Sequence, residues 1–310
     1  MFKEAYFNDD DAAREHLAAI RWPNGPVCPH CGGTERNSEL KGKAHRPGVF
    51  KCYDCRKQFS VTVGTIFERS KIPLSTWFKA VYLLCSSKKG ISSHQLHRML
   101  GVTYKTAWFM THRIREAMTE GMFGPVGGSG KIVEVDETFI GRDKTKKPKG
   151  EKKGRGYAHK HKVLTLVERG GQARSVAVND LTAKTLVPIL KQRIARETRI
   201  MTDEAGQYFH LHRDFDHDFV RDGQGEYVSR KDPTVHTNTI EGYFSIFKRG
   251  MKGTYQHCGE RHLSRYLSEF DFRYNTRTAL GFDDTARMVA AMKGIEGKRL
   301  MYGGPRWQGA

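Results

Sequence analysis

The chain has 310 residues, of which 38% are hydrophobic, 28% charged and 11% aromatic. That length suits one large domain or two to three ordinary ones. The composition excludes a disordered chain, and no apolar run approaches the ~20 residues of a membrane-spanning helix. Lys and Arg number 53 against 34 Asp and Glu, a net charge of +19, which suits a polyanionic partner, nucleic acid above all.

Met1-Phe2-Lys3-Glu4 leads into no apolar signal core, so a cytoplasmic location is expected. Residues 9–20 read as a short helix with acids in its first turn, where they meet the positive end of the helix dipole. Gly/Pro-rich sequence follows, with β-like runs at 49–51 and 58–63. From residue 73 the pattern turns helical: Trp77, Val81, Leu84 and Cys85 recur at helical spacing. A second short helix starts near Ser92 and carries Leu96, Met99 and Leu100. Gly101 then turns the chain, and Thr103 is an N-cap candidate for a third helix over 104–118. A short helix, a glycine turn and a helix bearing Lys105, His112, Arg113 and Arg115 outline a helix-turn-helix. Lys105 and Arg113 are its candidate DNA contacts.

Residues 121–130 read as a glycine-rich linker. Strand patterns follow at 131–136, 163–167, 174–178 and 198–203, with a short fifth near Tyr227-Val228. Helices are expected at 182–196, 237–249, 261–276 and 283–293. Residues 142–162 hold ten Lys/Arg and two acids. Such a local concentration favours phosphate contact, with Lys146, Lys147, Lys149, Lys152 and Lys153 as candidates; a solvated loop is the alternative.

Four of the six cysteines form two close pairs, Cys28-x2-Cys31 and Cys52-x2-Cys55. Two such turns complete a closed tetrahedral sulfur site that suits structural Zn2+. The pattern belongs to a reducing compartment, not to a disulfide scaffold. His30, between the first two, reads as a bystander.

Asp136 and Asp203 each end a largely apolar strand pattern, where a carboxylate is costly unless exposed or bound to a cation. If the strands are neighbours, both acids project to one place. Glu241 lies on the helix that opens at Thr237, with Asn238 one turn before it and Lys248 seven residues after, on the same face. Two acids from strands and one from a helix can hold two Mg2+ (or Mn2+) for phosphodiester chemistry. Glu134, Glu137, Asp180, Glu204, Asp214 and Asp218 compete for such a role; Asp180, just before a helix, reads better as a cap.

The chain resembles bacterial insertion-sequence transposases with an N-terminal zinc ribbon and a ribonuclease-H-like catalytic domain. The resemblance rests on Trp22-Pro23-Asn24-Gly25-Pro26-Val27-Cys28-Pro29-His30-Cys31, on Cys52-Tyr53-Asp54-Cys55-Arg56-Lys57 and on Gly64-Thr65-Ile66-Phe67. Further along it rests on Val135-Asp136-Glu137-Thr138, Thr202-Asp203-Glu204-Ala205, His236-Thr237-Asn238-Thr239-Ile240-Glu241, Phe247-Lys248-Arg249 and Gly253-Thr254-Tyr255. It implies three modules: a small-β zinc ribbon (15–70), a helix-turn-helix-like segment (71–120) and an α/β ribonuclease-H-like domain with a mixed five-stranded sheet (131–280). A helical tail (281–310) follows.

The resemblance also implies DDE-type chemistry. Asp136 and Asp203 would be the first two metal ligands, Glu241 or Asn238 the third, and Lys248 a phosphate or base contact. The implied partners are the terminal inverted repeats of an element, target DNA, and a second copy of the chain, at least a dimer. Two readings stand beside this one: a non-catalytic DNA-binding regulator, and a metal-dependent nuclease of the same fold.

Overall fold

The computed structural model describes residues 2–119, 124–141, 159–298 and 300. The lysines at 146, 147, 149, 152 and 153 lie outside them. The chain forms two compact units, Met1–Thr119 with Phe282–Ala310, and Glu120–Gly281.

In the first unit, α1 (Asp10–Arg21) starts where Asp9 accepts the Ala12 N–H at 2.7 Å. Three short strands, β1 (Asn37–Glu39), β2 (Val49–Cys52) and β3 (Gln58–Ser60), pair antiparallel in sequence order. Phe50 and Phe59 stack across β2 and β3 with ring centroids 5.6 Å apart, and Trp22 meets both edge-on. The helices are α2 (Leu74–Ser86), α3 (Ser93–Leu100) and α4 (Tyr104–Met118). Ser92 and Thr103 cap α3 and α4, and Gly101 makes the left-handed turn between them at φ 67°.

The last helix, α8 (Asp284–Lys293), is built into this unit: it lies against α2, α4 and α1, and Met288, Ala291 and Met292 are buried. Gly294 lets the end of α8 approach α4, since a Cβ there would sit 2.2 Å from the Ala117 carbonyl oxygen.

The packing around α4 corrects the outward reading of its basic residues. His112, Arg113 and Arg115 are buried. Arg113 donates from Nη1 to the Ile66 and Glu68 carbonyls (2.7 and 3.1 Å) and from Nε to the Leu300 carbonyl (3.2 Å). Its guanidinium closes loops inside the unit and does not face a DNA groove. Lys105, on the first turn of α4, is exposed.

The second unit is built on β4 (Ile132–Ile140), β5 (His161–Glu168), β6 (Ala173–Val178), β7 (Arg199–Thr202) and β8 (Asp216–Phe219). Their order is β6-β5-β4-β7-β8. The first three run antiparallel, and β7 and β8 pair parallel to β4 and β7 in turn. This is the mixed five-stranded, ribonuclease-H-like sheet. Its α5 (Ala183–Arg193) covers one face, where Leu186, Leu190 and Ile194 meet Val133, Val135, Leu164, Leu166 and Ile200. On the other face α6 (Asn238–Gly250) and α7 (Leu263–Asn275) pack Ile240, Tyr243, Phe244, Phe247, Leu267 and Phe270 over Val163, Val167 and Ala173.

Three expectations change. Asp136 does not end its strand: β4 continues to Ile140 because β5 pairs with it as far as Ile140↔His161. The fifth strand is β8 at 216–219; Val228 makes only an isolated bridge to His236. Asp-His-Asp-Phe has little intrinsic strand preference, and Arg199 of β7 holds it by donating to Asp218 at 2.7 Å. The end of the expected linker is also structured: Val126 is buried and exchanges backbone hydrogen bonds with Arg193 and Ala195.

Candidate active site and metal centre

The cysteine pairs converge. Cys28 Sγ lies 3.7 Å from Cys55 Sγ, and Cys31 Sγ lies 3.6 Å from Cys52 Sγ. All four sulfurs fall within 4.8 Å of one another. Four thiolates at ~2.3 Å from a tetrahedral zinc would be ~3.8 Å apart, so the sulfur set has the size of that site. Tight turns set it up: Gly32 N–H donates to the Cys28 carbonyl and Cys52 N–H to the Lys57 carbonyl. Gly33 sits against the sulfurs, where an added Cβ would meet Asp54 Oδ2 at 2.8 Å and Cys31 Sγ at 3.5 Å. The His30 ring points elsewhere, its Nε2 3.3 Å from the Gln58 carbonyl oxygen. Cys85 is buried in α2 and stands apart.

The acids of the second unit are placed by strand register. β4 pairs parallel with β7 through Ile132↔Arg199 and Glu134↔Met201. Two residues further on, Asp136 and Asp203 stand side by side at the end of β7, on the face that α6 covers. Asp136 is largely buried. Burial first, then the neighbouring Asp203, push its carboxyl up to about 8, opposed by the Glu137 N–H that it accepts at 2.6 Å and by the Lys248 charge. Asp203 Oδ1 accepts the Ala205 N–H at 3.0 Å. Lys248, exposed on α6, sets its ammonium over the Phe244 ring, 5.6 Å from the centroid. Two adjacent carboxylates, one of them reluctant to ionise, form a donor set that a hard divalent cation fits, because its charge relieves both burial and repulsion.

Asn238 and Glu241 lie on the exposed side of the first turns of α6. Glu241 Oε1 is 3.5 Å from the Thr237 hydroxyl. Among the described residues, the four cysteines are the only set of three or more Cys, His, Asp or Glu whose ligand atoms lie within 4.8 Å of one another. The register therefore gathers Asp136 and Asp203, and Glu241 is not drawn into a closed triad with them.

The other acids have separate work. Glu137 faces the α5 side, where the Tyr208 hydroxyl and Gln207 donate to it; burial raises its carboxyl. Asp180 accepts the N–H and hydroxyl of Thr182 ahead of α5 and is held down to about 2, chiefly by the Thr182 hydroxyl. Asp218 pairs with Arg199 and Asp214 with Lys191. Glu204 accepts the Gly223 N–H. Glu134 is completely buried and pairs with Arg169 at 2.6 Å. The sequence carried no signal for that partner, because Arg169 lies just after β5 and 35 residues from Glu134.

A cleft of about 530 Å³ runs along the end of β4 beyond Asp136, lined by Glu137, Thr138, Phe139, Lys160, His161, Lys248 and Lys252 among others.

A family model for the ISXO2-like transposase domain matches residues 127–275, the sheet and helices that carry these acids. A transposase zinc-ribbon model matches residues 8–58. The chain is also 30% identical over 286 residues to an uncharacterized protein in transposable element ISH50 of Halobacterium salinarum, covering 86% of this chain and 91% of that one. The chain belongs to the family of insertion-sequence transposases with a zinc ribbon and an ISXO2-like transposase domain.

Proposed function

We propose that the protein is a DNA transposase that binds the terminal inverted repeats of its element and catalyses metal-dependent strand cleavage and transfer. The observation that carries this reading is the side-by-side placement of Asp136 on β4 and Asp203 just after β7, with Lys248 near enough to act on Asp136. Asp136 and Asp203 would hold Mg2+ or Mn2+, joined by Glu241 or Asn238 from α6. When bound, such ions supply activation of a water or 3′-hydroxyl and charge stabilisation of the scissile phosphate. The protein's own part is positioning and electrostatics. The two strands present the carboxylates at a fixed spacing, and Lys248 meets a phosphate or base at the rim. The Lys and His side chains of the adjoining cleft hold the strand. Zn2+ in the cysteine site stabilises the ribbon. Two DNA ends need two active sites, so the working form is at least a dimer.

The test is Mg2+- or Mn2+-dependent cleavage of a duplex carrying the flanking inverted repeat, comparing wild type with Asp203→Ala. Nicking at the repeat end that is lost in the variant is the expected result. Tight repeat binding without cleavage by either protein would favour the regulator reading.

A further inference from the structure

Glu134 and Arg169 serve no step of the proposed chemistry, yet both are committed to the junction of β4 with α6. The N-cap residue of α6, Thr237, makes no side-chain capping bond. The cap comes from another element: Glu134 Oε2 accepts the Ile240 N–H at 2.8 Å. A carboxylate there satisfies one of the orphan amides of the first turn and meets the positive end of the helix dipole.

Glu134 is fully buried, and a buried charge needs a partner. Arg169 supplies it, donating from Nε to Glu134 Oε1 at 2.6 Å. The same guanidinium donates to the carbonyls of Thr234 (2.7 Å) and His236 (2.8 Å) and to His236 Nδ1 (3.0 Å). One planar fork thus ties β4, the end of β5 and the segment that leads into α6.

The spacing gives this a consequence for the site. Asp136 is two residues from Glu134 on the same strand face. Asn238 is two residues before Ile240, and Glu241 directly follows it. We infer that the Glu134–Arg169 pair is the positioning device that sets α6 against β4, and so sets the reach of Asn238 and Glu241 toward a cation held by Asp136 and Asp203. Apolar packing alone would hold the helix on the sheet but leave its placement along the strand less sharply defined than a ligand set needs. The inference rests on the metal reading of the site.

The experiment is Mn2+ binding to the zinc-loaded full-length protein, followed by the electron paramagnetic resonance signal of the free ion. Wild type is compared with Glu134→Gln, Arg169→Met, their double variant and Asp136→Ala, each checked for folding by circular dichroism. Glu134→Gln keeps the side chain's shape, so it tests the inference even if Arg169→Met does not fold. The expected result is a loss of Mn2+ affinity of about tenfold to a hundredfold in each single variant. The double variant should be no weaker than the worse single one, because both act through one junction. Lowered thermal stability with unchanged Mn2+ affinity in the folded variants would overturn the inference and leave the pair a structural one. If wild type binds no more Mn2+ than Asp136→Ala, the metal reading itself fails, and the inference with it.

Discussion

Asp136 and Arg113 show how burial changes what a charged residue does. The Asp136 carboxyl is raised from 3.8 to about 8 in the folded chain. Between those values the folded state holds a proton that the unfolded state has lost, so the stability of the Mg2+-free protein falls as pH rises through that window. Asp136→Asn removes the effect. Urea denaturation of the zinc-loaded protein at pH 5 and 7.5 should show the variant gaining on wild type by about 3 kcal/mol at the higher pH. Arg113, with its carbonyl partners, should behave as a core residue: Arg113→Met is expected to cost about 2–4 kcal/mol in the same assay. Exposed Lys105 should do the opposite. Lys105→Ala should leave the melting temperature unchanged and reduce the slope of log affinity against log salt for a repeat duplex by about 1. Basic residues on one helix look alike in a sequence; here the neighbours of α4 separate them.

At the scale of elements, the ribbon is expected to depend on a metal ion held by its four cysteines. β1, β2 and β3 have three or four residues each, and their apolar support is chiefly the Trp22, Phe50 and Phe59 cluster. A sheet this small needs the cross-link that four thiolates on one metal provide. Chelation of zinc, or Cys31→Ser, should abolish protection from amide exchange over 28–60 while leaving β4 to β7 protected. Uniform loss of protection would show the ribbon to be part of a larger cooperative unit. In the sheet the informative element is β4. Its acids make it look shorter in sequence than it is, since Asp136 reads as a strand end. β7 pairs with it only over Ile132–Glu134, and pairing with β5 carries it on to Ile140.

At the scale of the molecule, the chain leaves the first unit at Thr119 and returns to it at Phe282. α8 therefore stabilises residues that precede it by almost the whole length of the chain, and Arg287 donates to the Cys85 carbonyl at 3.1 Å. Truncation after Gly281 should expose the faces of α2 and α4 that α8 covers. Limited proteolysis is then expected to cut within 74–118 first, while the sheet of 127–275 resists. Equal resistance in both forms would mean that α8 contributes little.

Local signals were enough for much of this protein. Two Cys-x2-Cys turns, a glycine between capped helices, alternating strands and ordered motif blocks each act within a few residues, so the ribbon, the helices, most of the strands and the family are legible in the residues alone. What the tertiary structure decided is everything set by partners far along the chain. β8 is a strand because Arg199 and β7 are beside it. Arg113 is internal because its loops fold over it. Glu134 caps a helix that starts over 100 residues later, and Asp136 meets Asp203 because a parallel register puts them together. Such pairings have no local trace, since their free energy comes from groups brought together only when the chain closes.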